Sequence, residues 1–86
     1  MTTEEYLKRC QEAVDLCGDR LHGIVGGMMA HFAIAVAKYE PTGEPIIERI
    51  PEGLAEAYIA LTMIRLKYGI THEQVEEAIE ERLTKV

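Results

Sequence analysis

Glu40, Glu44, Glu48, Glu52 and Glu56 recur every four residues, a spacing that would stack one carboxylate per turn along a helix. Pro41, Pro45 and Pro51 interrupt that stretch, because proline has no amide proton to donate and clashes with the preceding turn. Only Glu52 and Glu56 are therefore expected one turn apart on a shared face. Like charges at that separation repel by a few tenths of a kcal/mol. Glu56 also sits among apolar residues, so a cation or a hydrogen-bond-donating ligand would relieve a cost. The competing expectation is a solvated helix start whose acids complement the dipole.

A second candidate is His31. From Ile24 to Ala37 every residue except Gly26, Gly27 and His31 is apolar, and a neutral imidazole in such surroundings needs a hydrogen-bond partner. It fits either a core or interface histidine or a ligand-binding group. The segment His22-Gly-Ile-Val-Gly-Gly could bring backbone amides near a phosphate, or could instead let another helix approach closely. His22 and His72 are expected at the surface. No serine occurs anywhere in the chain, which excludes a serine nucleophile. Cys10 and Cys17 lie seven residues apart, about 10 Å along a helix, too far to pair with each other. They read as structural thiols, and no pattern supports a pairing of either with His31 as a nucleophile and base.

Four helical segments are expected to position these groups, and nothing reads as a strand. Tyr6, Leu7, Cys10, Ala13, Val14 and Cys17 recur at helical spacing between a Thr2-x-x-Glu5 capping box and Gly18, which predicts a first helix over residues 3–17. Asp19 is expected to cap the second helix, which is apolar on nearly all sides and so expected to be central. Gly26, Ala30, Ala33 and Ala37 follow a four-three-four spacing, which predicts a small-residue face at a helix–helix contact. Residues 40–50 are expected to form a connection with at most one helical turn at 46–49. Pro51 opens a third helix running to Tyr68, with Gly69 as its stop. Thr71-x-x-Gln74 caps a fourth, whose stripe of Val75, Ala78, Ile79, Leu83 and Val86 opposes a solvated face bearing Glu73, Glu76, Glu77, Glu80 and Glu81.

With 86 residues, 15 acidic against 9 basic side chains and a net charge of −6, the chain is long enough for one domain and carries the wrong sign for a nucleic-acid partner. The first residues lack a basic-then-apolar targeting layout, and no apolar run is expected to approach the roughly 20 residues that span a bilayer. These features predict a cytoplasmic protein with no membrane association. Helices two and three carry more apolar surface than four short helices can cover, which predicts a homodimer or homotetramer.

From Pro51 onward, EGLAEAYIALTMIRLKYGITHEQVEEAIEERLTKV resembles the C-terminal half of MazG-like, all-α nucleoside triphosphate pyrophosphohydrolases. In that family two acidic residues four apart open a helix rich in Ile and Leu that ends at a Gly-Ile turn before an acidic terminal helix. Glu52 and Glu56 match the acidic positions, and Tyr68-Gly69-Ile70 matches the turn. Upstream, MMAHFAIAVAKYE resembles the family's carboxylate-bearing helix in its Ala-rich half and Lys-Tyr end, but the acidic positions fall on residues from Gly26 to His31.

The resemblance implies a four-helix, MazG-like bundle over residues 1–86, completed by oligomerisation, with a nucleotide cleft between helices two and three. His31, Glu52 and Glu56 would line that cleft, with Tyr58 or Tyr39 against a base and Lys38 near the phosphates. Family members hold Mg²⁺ with about four carboxylates. Here Glu52 and Glu56 supply half that charge, so the expectation is a nucleotide or nucleotide-derived signal bound without hydrolysis and without a cofactor. The alternatives are an active pyrophosphohydrolase that uses Mg²⁺ at Glu52 and Glu56, and a structural or protein-interaction oligomer.

Overall fold

The computed structural model describes the backbone of residues 1–42 and 50–85, and the side chains of residues 1–37 and 51–85. Among these residues every regular element is helical. Helix α1 spans Thr3–Cys17, a 3₁₀ turn spans Gly18–Arg20, α2 spans Leu21–Thr42, α3 spans Ile50–Lys67 and α4 spans His72–Thr84. The expected turn at 46–49 and the acids Glu44 and Glu48 lie outside the described residues.

Local chemistry sets most of these boundaries. Thr2 Oγ1 accepts from the Glu5 amide at 3.1 Å and starts α1. Gly18, at φ +52°, stops it with its amide donating to the Val14 carbonyl, a left-handed conformation that glycine adopts without steric cost. Asp19 does not cap α2 as expected: it lies inside the 3₁₀ turn, which feeds directly into Leu21. Helix α2 also runs three residues into the expected connection, through Glu40 and Pro41 to Thr42. At the end of α3 the Gly69 amide donates to the Leu66 carbonyl and the Ile70 amide to the Arg65 carbonyl. With Gly69 at φ +64°, this is a Schellman stop. Thr71 and Gln74 then cap each other reciprocally to start α4.

Helices α1, α2 and α3 pack together. Leu21, Val25, Met28, Phe32 and Ala35, spaced four-three-four-three, are the buried or half-buried residues of α2, a single stripe turned toward its neighbours. Leu21 and Val25 join Cys10, Val14, Ala60 and Met63 as the buried core. That core is small. The chain exposes 7056 Å², whereas a compact monomer of 9.7 kDa exposes about 5,100 Å². Its radius of gyration is 14.9 Å, against about 12 Å for a globule of this length.

One expectation about α2, that it is central, is corrected by this geometry. The helix is not central within the chain, because three helices are too few to wrap it: Ile24, Met29, Ile34 and Val36 remain exposed. Nor does its small-residue face meet another helix of the same chain. Gly26, Ala30, Ala33 and Ala37 are all exposed, and a Cβ added at Gly23, Gly26 or Gly27 would meet nothing. The close approach lies elsewhere, where a Cβ on Gly53 would come within 2.6 Å of the Phe32 ring. The helical run Thr3–Ala37 contains an 18-residue window of mean hydropathy 1.3, long and apolar enough by composition to cross a bilayer, a criterion that core helices of soluble proteins also meet. Glycine, alanine and histidine interrupt the run of large apolar residues without lowering its mean hydropathy far.

Helix α4 stands apart. Among the described residues none of its Cα atoms lies within 8 Å of a Cα in α1, α2 or α3. It is amphipathic, yet its apolar stripe stays open, with Ile79 at 51% and Leu83 at 70% exposure.

Candidate functional site

Phe32 on α2 seats against the backbone of Gly53 on α3, and that close approach brings the polar groups beside it into reach. His31, the residue before it on α2, places Nδ1 3.7 Å from Glu56 Oε2, one turn along α3 from Glu52. His31 and Glu56 are largely open to solvent, with side-chain exposures of 79% and 51%. The pair is ionic only when the imidazole is protonated, and such an exposed pair contributes under about 1 kcal/mol to folding. The pair sets an imidazole that can donate or accept beside a carboxylate that accepts, both open to solvent.

The other candidate residues divide. Glu52 is exposed in the first turn of α3, on the face of Glu56 by its four-residue spacing. The side chains of Lys38 and Tyr39 lie outside the described residues. Tyr58 follows Glu56 by two positions, which on a helix points it to nearly the opposite side. It lines a separate groove with α1 and α4 rather than the His31–Glu56 site.

Mg²⁺ requires near-octahedral oxygen ligation. Glu56 beside the His31 imidazole of α2, with Glu52 one turn away, does not by itself supply it, and among the described residues no cluster of three or more His, Cys, Asp or Glu side chains could hold a metal. The donor set fits an organic ligand with hydrogen-bond donors better than a bare cation.

Two features escaped sequence reasoning. The first is the Phe32–Gly53 contact, for which a glycine in the first turn of an otherwise apolar helix was the available sign. The second is an apolar groove of about 800 Å³ between α1, α3 and α4. Along it, the Tyr6 hydroxyl lies 2.8 Å from Thr62 Oγ1, which donates at 2.8 Å to the Tyr58 carbonyl. A lone tyrosine in the first turn of α1 gave no hint of that partner. At the far end of α3, His22 and the Tyr68 hydroxyl are hydrogen-bonded and tie the start of α2 to it.

Compared with family models, curated proteins and solved structures, the chain matches none of them.

Proposed function

We propose that this chain is a self-associating, cytoplasmic helical protein that binds a nucleotide or nucleotide-derived ligand along the α2–α3 seam without hydrolysing it. The observation that carries this reading is the approach of His31 to Glu56 beside the Phe32–Gly53 contact. A carboxylate there can accept from the amino and imino groups of a base, and the imidazole can serve a sugar hydroxyl or a ring nitrogen. Unscreened phosphate oxygens would be repelled by Glu52 and Glu56, so recognition falls to the base or sugar. The resemblance of residues 51–86 to MazG-like proteins supplies the ligand class, and the poor fit to Mg²⁺ supplies the absence of turnover. Self-association is supported by the area excess of about 1,900 Å², more than the roughly 800 Å² that each partner contributes to a standard interface.

Isothermal titration with nucleoside mono-, di- and triphosphates and cyclic nucleotides tests the ligand reading. At least one should bind, and Glu56→Ala should weaken it about tenfold, as losing a hydrogen bond made by a charged group does. Binding indifferent to Glu56→Ala would remove the site. No binding by any of them would leave the structural-oligomer reading, which the large exposed apolar area favours.

A further inference from the structure

We infer that the groove between α1, α3 and α4 is a second binding site, for a medium-chain alkyl carboxylate whose chain lies between the helices and whose head meets Arg65. The site is separate from the His31 and Glu56 pair and does not depend on the nucleotide reading above.

Three helices each turn one stripe into this groove. On α3, Tyr58, Leu61 and Arg65 share a face at i, i+3 and i+7. Tyr6 and Leu7 meet it from α1, and Val75 and Ile79 from α4. Packed helix axes lie about 8–10 Å apart, with Cα atoms about 2.3 Å off each axis, so packed neighbours bring Cα atoms well inside that separation. Among the described residues no Cα of α4 comes within 8 Å of α1, α2 or α3, so α4 stands off by more than direct packing of its apolar stripe. The turn holds that spacing. The Gly69 and Ile70 amides bond back to α3, and Arg65 Nη1 donates to the Ile70 carbonyl at 3.3 Å. What remains is a slot of about 800 Å³, within the roughly 300–1,000 Å³ of small-molecule sites. From Tyr58 to Arg65 it runs about 10 Å at helical rise, the reach of a medium-length alkyl chain.

The polar groups of the slot set what its occupant carries. In the middle, the Tyr6 hydroxyl lies 2.8 Å from Thr62 Oγ1, which donates to the Tyr58 carbonyl, so both hydroxyl protons are taken. Toward the turn, Arg65 is half-buried and has no carboxylate partner among the described residues, whose ion pairs are His31 with Glu56, His72 with Glu76 and Lys85 with Glu81. A guanidinium has five N–H donors, and a charge partly removed from water without a counter-ion carries a cost that an anion relieves. His72 also lines the slot, but Glu76 holds its Nε2 at 2.9 Å, so the charge on offer is that of Arg65. The chain has 15 acidic residues, and none of those described lines the slot. Its net negative charge is screened beyond about 8 Å at physiological ionic strength, which leaves the local cation to decide. An apolar slot with one cationic end selects an apolar chain with one anionic end.

Isothermal titration of the whole chain with decanoate below its micelle-forming concentration, with decan-1-ol and decyltrimethylammonium as head-group controls, tests the site. Decanoate should bind one molecule per chain about tenfold more tightly than decan-1-ol, the scale of a hydrogen bond to a charged group, and decyltrimethylammonium more weakly than either. Arg65→Gln should abolish the preference for decanoate, a comparison of two ligands on one variant that a general loss of folding does not imitate. Leu61→Asp, at a position 52% exposed, should weaken decanoate and decan-1-ol alike by about tenfold, with far-ultraviolet circular dichroism still reporting a folded chain. Saturating decanoate should slow amide exchange through α4. No saturable binding of decanoate, equal binding of the three amphiphiles by wild type, or a preference that survives Arg65→Gln would each overturn the inference. So would amide exchange in α4 that ignores the ligand, since the alkyl chain would then lie elsewhere. Binding of the protein to phosphatidylcholine vesicles without binding of monomeric decanoate would give the groove to a bilayer, and an oligomer that Leu61→Asp dissociates but decanoate does not bind would give it to a second copy. Either result overturns the inference.

Discussion

Replacing Gly53 with alanine isolates the α2–α3 approach in one methyl group. In a helix, glycine to alanine ordinarily stabilises by about 0.5–1 kcal/mol, because the unfolded glycine has more freedom to lose. At Gly53 the new Cβ would lie 2.6 Å and 2.9 Å from two ring carbons of Phe32, closer than any unstrained contact. Either the half-buried ring rotates out of its seat or the helices separate, and overpacking of this kind costs about 1–3 kcal/mol. The cost exceeds the gain, so Gly53→Ala should destabilise by about 1 kcal/mol. In a Phe32→Ala background the obstacle is gone, and the same substitution should instead stabilise by up to about 1 kcal/mol. The sign change is the diagnostic, and a double-mutant cycle in urea at fixed protein concentration measures it. A Gly53→Ala effect that is stabilising in both backgrounds would show that Phe32 does not sit against this glycine. The placement of His31 beside Glu56 would lose its support with it.

Gly26→Ala, at a position where an added Cβ meets nothing, should stabilise by about 0.5–1 kcal/mol, read from the same urea curves. Ala30→Leu adds a side chain to an exposed face and should stay within about 0.5 kcal/mol of wild type. Loss of assembly in that variant would show that this face of α2 is covered by another chain. Thr71→Ala removes the hydroxyl that accepts from the Gln74 amide, leaving the Thr71 amide to donate to the Gln74 side chain, and should cost about 1 kcal/mol. Because α4 makes no close approach to the other helices, the loss should appear as faster amide exchange confined to α4. Cys17 is half-buried and Cys10 buried, so an aromatic disulfide reagent should titrate Cys17 in the native protein and Cys10 only on unfolding, with no disulfide between them. Pyrophosphate release from common nucleoside triphosphates with Mg²⁺ should stay at background, and turnover abolished by Glu52→Gln would reverse that expectation.

What the sequence determined alone is largely local. Thr2, Gly18, Thr71, Gln74 and Gly69 mark the helix ends within a residue of where they fall, because caps and stops are decided by groups three to five residues apart. The absence of strands among the described residues followed from the same short-range periodicity. Of the proposed site, one pair was legible: His31 and Glu56 stood out as polar groups in apolar stretches, and the structure brings them within 3.7 Å. Tyr58 could not be placed that way, since its side of α3 depends on which neighbour claims Glu56. The tertiary structure alone decided three things: that Gly53 rather than the α2 glycines takes the close approach, that α2 keeps one side open, and that α4 stands off from the other helices. The physical reason is common to all three. Periodicity states which face of a helix avoids water, but what covers that face is set by contacts between residues far apart in the chain, or by contacts with another molecule.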